Sequence, residues 1–372
     1  ARQHLRTLTD LAAHAGVRIA LLTGRDKGKG RVELLARLAA GEIDILIGTH
    51  ALFQDDVHFR SLALAVIDEQ HRFGVHQRLT LGAKGQRDSG GIDLLVMTAT
   101  PIPRTLALTA YGDMDVSQLK EKPPGRKPVD TRSIALDRLD EVVEGVRRRI
   151  DAGGQAYWVC PLVEESELID IAAAEERFMT LKSALGDERV GLVHGRMKAA
   201  EKDAAMADFA AGRTRALVAT TVIEVGVDVP QATLMVIEHA ERFGLAQLHQ
   251  LRGRVGRGGL PGACLLLFAA PLGETAKARL KIMRETEDGF LIAEEDLRLR
   301  GAGDVLGTRQ SGLPEFRLAD LVAHADLLAA ARDDARLIVL RDPDLTGPRG
   351  QALRVLLYLF ARDAAIRYLR SG

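Results

Sequence analysis

Short apolar, β-branched runs bounded by turn residues alternate with segments of helical period along most of the chain. The runs at residues 18–22, 44–48, 62–68, 94–98, 155–160, 190–194, 216–219, 233–238 and 263–268 read as strands. Strands that alternate with helices predict an α/β fold: parallel sheets with helices on both faces. The segment Lys122-Pro123-Pro124-Gly125-Arg126-Lys127-Pro128 can continue neither element and reads as a linker. After Pro271 the strands stop, and helices are predicted at residues 274–285, 291–300, 318–332 and 349–369. The division expected is a first α/β domain over 1–125, a second over 126–270 and a helical domain over 271–372. No internal repeat is visible.

Composition narrows this picture only slightly. At 372 residues the chain exceeds one ordinary core. Lys plus Arg and Asp plus Glu both number 51, so any nucleic-acid groove must be built from local clusters. The two cysteines, Cys160 and Cys264, lie inside apolar runs and read as core fillers, leaving no disulfide framework or Cys-based zinc site. No apolar run reaches the roughly 18 residues needed to span a bilayer, and a cytoplasmic location is expected.

The chemistry begins at Asp68-Glu69, an acidic pair at the end of an apolar run and before Gln70-His71-Arg72-Phe73-Gly74. A strand that delivers two carboxylates to the carboxyl edge of a parallel sheet is suited to hold a metal beside a nucleotide's terminal phosphates. Farther along come Thr98-Ala99-Thr100, then Thr220-Thr221 leading to Gly226 and Asp228, then Gln250-Leu251-Arg252-Gly253-Arg254-Val255-Gly256-Arg257. In that order, these blocks resemble motifs II, III, V and VI of the superfamily 2 helicases, each of whose two motor domains has a RecA-like fold.

ATP hydrolysis requires neutralising phosphate charge, orienting a water and stabilising a loose transition state. Asp68 is therefore expected to hold Mg²⁺ and Glu69 to orient the attacking water, with Gln250 as a second water-orienting group. Arg254 and Arg257 are expected to act as arginine fingers. Gly226 and Asp228 are expected near the sugar and phosphates, and His71 joins the nucleotide set. Gly24-Arg25-Asp26-Lys27-Gly28-Lys29-Gly30 lacks the Walker A spacing and reads as a basic loop. His194, His239 and His249 show no ligand spacing, and the helical stretch at 349–369 reads as a packing surface.

The resemblance can be narrowed. Residues 67–75, Thr98-Ala99-Thr100-Pro101-Ile102-Pro103-Arg104-Thr105-Leu106 and His194-Gly195-Arg196-Met197 closely resemble the RecG-type DNA branch-migration helicases. Residues 296–312, Asp296 to Gly312, resemble the translocation motif that RecG shares with the transcription-repair coupling factor Mfd. Gln70, Arg196 and Pro123-Pro124-Gly125-Arg126 favour the RecG side.

What the resemblance implies is an ATP-driven motor that pulls branched duplex DNA, regressing stalled forks and migrating Holliday junctions. It would work as a monomer, with a single-stranded DNA-binding protein as a further partner. Thr49, His50, Thr105, Arg196 and Thr220 would line the DNA backbone. Thr98, Thr100, Arg298, Arg300 and Gln310 would couple cleft closure to movement. The sequence opens with Ala1-Arg2-Gln3-His4, just after the family's motif Ia. It is therefore expected to be a C-terminal piece lacking the wedge domain and Walker A loop, inactive as an ATPase by itself, with exposed apolar surface beside the strand that ends at Asp68. An Mfd-like translocase and a non-catalytic DNA-binding module are the alternatives.

Overall fold

The computed structural model describes residues 1–69, 92–99, 115–161, 167–220, 229–257, 259–306 and 324–360. The chain divides into two compact units, Ala1–Ala99 and Thr100–Gly372.

In the first unit, helix α1 (Arg2–Ala12) precedes strand β1 (Ile19–Leu22), and helix α2 (Gly28–Ala39) connects it to the parallel strand β2 (Ile45–Gly48). Leu22, Leu38, Ile43, Ala51 and Val57 form the core beneath this pair. A second parallel pair joins β3 (Leu64–Ile67) to β4 (Asp93–Val96), Ile67 standing level with Val96. Ala65 and Ile67 face inward onto Phe53, Ile92 and Leu94. The opposite face carries Leu64, Val66 and Leu95, each about half exposed. The apolar surface expected beside the Asp68 strand is thus present.

The second unit is built on a six-stranded, all-parallel sheet. Its strands are β5 (Val129–Ala135), β6 (Gln155–Val159), β7 (Val190–Val193), β8 (Ala216–Ala219), β9 (Ala232–Ile237) and β10 (Gly262–Phe268), in the spatial order β5-β10-β9-β6-β8-β7. Every residue of β6, β8 and β9 is buried, as parallel strands covered on both faces require. Alternation then sorts the side chains between two faces.

On one face Ala156, Trp158, Val218 and Val236 meet Val142, Val146 and Ile150 of α3 (Leu139–Asp151) and Ala174, Leu181 and Leu185 of α4 (Glu167–Leu185). On the other, Tyr157, Leu217, Met235 and Leu266 meet Phe209 of α5 (Ala199–Ala210) and Leu245, Leu248 and Leu251 of α6 (Leu245–Arg252). Leu280 and Met283 of α7 (Glu274–Glu285) and Ile292 of α8 (Gly289–Leu306) complete that second face. The first helices after Pro271 therefore share a core with the sheet. Helices α9 (Ala325–Arg341) and α10 (Pro348–Leu359) follow, with Leu327, Leu340 and Leu359 exposed.

Nine of the strands lie where the apolar runs placed them, within two residues at each end. β5 was not anticipated. It reads Val-Asp-Thr-Arg-Ser-Ile-Ala, its only buried residue is Val129, and among the described residues it pairs on one side only, with β10. An edge strand needs no continuous apolar run, so the hydrophobic pattern was silent there. The helix predicted from residue 291 to 300 runs on to Leu306, and that predicted from 318 begins, within the described residues, at Ala325 and ends at Arg341.

Candidate nucleotide and DNA site

β3 does what its apolar pattern suggested: it carries Asp68 to the carboxyl edge of a parallel pair. Met97 N–H donates to Ile67 O at 2.8 Å, so the pairing continues one step past β4 and sets Thr98 at the edge that bears Asp68. Asp68 Oδ1 accepts the N–H of Glu69 at 2.9 Å, and Oδ2 lies 3.3 Å from His4 Nε2. The Asp68 side chain stays 47% exposed, which leaves it open to a ligand. Glu69 has a φ of 52°, in the left-handed region that a non-glycine residue seldom enters. Such strain concentrates at functional sites. Mg²⁺ binds through one or two carboxylates, several waters and substrate phosphates, so a single exposed aspartate at a strand end fits it.

Thr49 and His50 are exposed just after β2, where a 3-10 turn begins at His50. The basic loop before α2 is closed locally: Asp26 Oδ2 accepts from Thr23 N at 2.6 Å and Thr23 Oγ1 at 2.8 Å.

In the second unit Arg196 and Thr220 lie at the carboxyl edge of the sheet, whereas the loop of Arg254 and Arg257 lies at its amino edge, where Gly256 N–H donates to Ala232 O at 3.3 Å. Arg196 is exposed in the turn after β7. Thr220, directly after β8, is buried; its N–H reaches Val193 O at 3.3 Å, while its hydroxyl has no hydrogen-bond partner.

Helix α6 supplies half-buried Gln250 and delivers the chain into the loop that holds half-buried Arg254 and exposed Arg257. Gly256, in that loop, adopts φ 73°, which glycine tolerates without strain. The loop is braced from behind. Gly253 O accepts Arg126 Nη2 at 2.9 Å and Arg257 Nε at 3.1 Å.

Arg252, 3% exposed, donates to Met283 O at 2.6 Å and Thr286 O at 2.9 Å, satisfying carbonyls at the end of α7. Its other terminal nitrogen lies 3.1 Å from His249 Nδ1. Burial, then the charges of Arg252 and Arg126, hold His249 down to about 4 and so neutral. Glu287 accepts from Lys122 Nζ and Val129 N, tying the Pro-rich segment and the start of β5 to the same place.

A second buried polar cluster sits where β9 ends. Glu238, 7% exposed, accepts from the indole of Trp158 and from Arg177 of α4, whose Nη2 contact is 3.2 Å. The Arg177 guanidinium also lies 5.8 Å from the Trp158 ring centre.

Arg126, Arg177, Glu238 and Arg252 were not among the sequence candidates. Arg252 stood two residues before Arg254, which was the one signal for it; Arg126, in the Pro-Pro-Gly-Arg block, and Glu238 and Arg177 offered none. Arg298 is exposed on α8 and paired with Glu295 at 2.8 Å. His71, Thr100, Thr105, Gly226, Asp228 and Gln310 fall outside the described residues, as does the side chain of Arg300.

Comparison with known proteins places this geometry. Residues 1–109 match the DEAD/DEAH box helicase model, 135–259 the helicase conserved C-terminal domain, and 286–361 the C-terminal part of domain 3 of the ATP-dependent DNA helicase RecG. The chain is 52% identical over 344 residues to the ATP-dependent DNA helicase RecG of Escherichia coli K12, covering 92% of this chain and 50% of that protein. It is 51% identical over 355 residues to the Bacillus subtilis protein of the same name, covering 95% and 51%. A solved structure of RecG bound to a three-way DNA junction superposes with a TM-score of 0.66 at 45% identity, over 88% of this chain and 41% of that one. A DUF1998 helicase, MrfA, bound to DNA and AMPPNP shares the fold at a TM-score of 0.57 and 14% identity. The chain spans about half the length of the relatives it matches.

Proposed function

Because the chain belongs in sequence and fold to the RecG-type ATP-dependent DNA helicases, we propose that it is the motor portion of an ATP-driven translocase that remodels branched duplex DNA. The observation that carries this reading is the shared edge of β3 and β4, with half-exposed Asp68, left-handed Glu69 and Thr98 together. Two RecA-like α/β domains, over 1–125 and 126–270, and a helical domain over 271–372 remain the proposed division.

In this reading Asp68 holds Mg²⁺, which offsets phosphate charge when bound. Glu69 and Gln250 orient the water, and Arg254 and Arg257 act on the charge of the transition state. His71, Gly226 and Asp228 complete the nucleotide set. Thr49, His50, Thr105, Arg196 and Thr220 contact the DNA backbone without reading bases. Thr98, Thr100, Arg298, Arg300 and Gln310 transmit nucleotide closure to movement along the duplex. A RecG of known structure is bound to a three-way junction, and stalled forks and Holliday junctions are the proposed substrates here. A monomer in the cytoplasm, on nucleoid DNA and beside single-stranded DNA-binding protein, fits this role. No described helix is long and apolar enough to cross a membrane.

The test uses the whole protein that contains this sequence. Asp68→Ala and Glu69→Gln should each abolish DNA-stimulated ATP hydrolysis while changing stability by less than about 1 kcal/mol, as expected at a half-exposed position. Near-normal turnover in either variant would sink the assignment. The 372-residue chain alone, without a Walker A loop among its motifs, should release phosphate no faster than background.

A further inference from the structure

One carboxylate pins both ends of the Pro-rich segment. Glu287 stands in the turn between α7 and α8, its side chain 23% exposed. It accepts from Lys122 Nζ, where the segment begins, and from Val129 N–H, where the segment passes into β5. We propose that Glu287 is a positioning residue for the loop of Arg254 and Arg257, acting through Arg126 in the middle of the segment it pins. The proposal rests on the reading of those two arginines as groups that act on transition-state charge.

Between the two anchors the chain has little freedom. Prolines at 123, 124 and 128 each fix a φ. Arg126 N–H donates to Pro123 O at 3.3 Å across a turn whose central residues are Pro124 and Gly125, the latter at φ 82°. Proline followed by a left-handed glycine is the pattern of a type II turn. A stiff segment held at both ends fixes its middle. There Arg126 Nη2 donates to Gly253 O at 2.9 Å, and Gly253 caps α6 immediately before Arg254. The same carbonyl accepts from Arg257 Nε at 3.1 Å, so the root of the arginine loop is braced by the linker.

The turn that carries Glu287 also holds α6 directly, because Thr286 O accepts from buried Arg252 at 2.9 Å. Burial opposes the charge on Glu287, but the Lys122 ammonium and the Val129 N–H outweigh it and hold its carboxyl below the usual range. The anchor is therefore an anion near neutral pH. Neither Glu287 nor Arg126 has to touch the nucleotide to matter. A guanidinium aimed at developing charge loses its effect when displaced, and a shift of about 1 Å can cost on the order of a hundredfold in rate.

The test measures steady-state ATP hydrolysis, at saturating forked DNA, by the whole protein that contains this sequence. Glu287→Ala and Arg126→Met should each lower kcat about tenfold or more while KM for ATP stays within about twofold, because the loop acts in the transition state. The double variant should be no slower than the slower single one, since both changes act along one path. Arg126→Lys, which can still donate to Gly253 O, should recover part of the loss. Should Glu287→Ala fail to fold, Arg126→Met decides, because it leaves both anchors in place. Unchanged kcat in Arg126→Met, multiplied losses in the double variant, a matching rise in KM, or an Arg126→Lys no better than Arg126→Met would overturn the proposal. So would a Glu287→Ala protein that melts earlier, by Trp158 emission, yet turns over normally while folded. Normal hydrolysis in Asp68→Ala would remove the helicase reading beneath the proposal, whereas loss there with Arg126→Met unaffected would strike the proposal alone.

Discussion

Glu238→Ala tests whether the buried cluster at the end of β9 holds the second unit together. The substitution leaves the Trp158 indole N–H, on a residue 0% exposed, without its acceptor. An orphaned buried donor costs about 1–3 kcal/mol. It also strips the Arg177 guanidinium of its partner. A fully buried ion pair broken on one side costs about 3–5 kcal/mol, but the Arg177 side chain is 19% exposed and recovers part of its hydration.

Together, with the ion-pair loss discounted for that exposure, these should come to about 3 kcal/mol. At roughly 2–4 °C per kcal/mol for a unit of this size, the melting midpoint should fall by about 6–12 °C. Trp158 is the only tryptophan and lies in the second unit, so its emission during urea unfolding reports that unit directly. In Arg177→Met combined with Glu238→Leu the charge penalty should vanish and only the indole's loss remain, so the double variant should be more stable than Glu238→Ala. A Glu238→Ala midpoint within about 1 kcal/mol of the unaltered protein, or a double variant less stable than the single, would refute the reasoning.

Three further outcomes follow from the geometry. His249 is held down to about 4 against an ordinary value of 6.5, so the unfolded chain binds its proton first. Its contribution is complete above pH 6.5 and is lost as pH falls towards 4, at no more than about 1.4 kcal/mol per pH unit; subtracting the urea stability of His249→Gln at each pH should isolate that slope, and parallel curves would refute it. In Gly48→Ala the new methyl would meet Leu22 O at 2.4 Å and Leu52 Cγ at 2.7 Å, so hydrogen-exchange protection in β1 and β2 should drop by the equivalent of about 1–3 kcal/mol while β6 and β8 are unaffected; unchanged protection at Ile45–Gly48 would contradict the packing. Burial pushes the Cys264 thiol up to about 12 and the Cys160 thiol higher still, so neither should alkylate in the native chain at pH 8 and both should in urea; rapid native labelling of either would show an opening that the fold does not allow.

What could be read from the sequence follows from how local each signal is. Gln155–Val159 and Ala232–Ile237 are buried on both faces, so their composition alone marks them as strands. Asp68 was legible because the run before it ends where the sheet ends. β5 was not, because an edge strand can be half polar. The contacts that brace the site are longer range still. Arg126 meets Gly253, Trp158 meets Glu238 and Val129 meets Glu287, pairs whose members lie 80 or more positions apart. Nothing in a residue's own neighbourhood announces such a partner.

The place of β5 also bears on how this protein comes off the ribosome. Among the described residues Val129–Ala135 has one partner strand, Gly262–Phe268, the last strand of its sheet to be synthesised. At roughly 5–20 residues per second the nascent chain carries β5 for on the order of ten seconds before β10 emerges to receive it. Throughout that interval β5 has no native pairing, and the β9 edge is open as well. A half-polar strand is the safe kind to leave waiting. The same Asp130, Arg132 and Ser133 that hid β5 from a reading of hydrophobic pattern keep it soluble until the sheet can close.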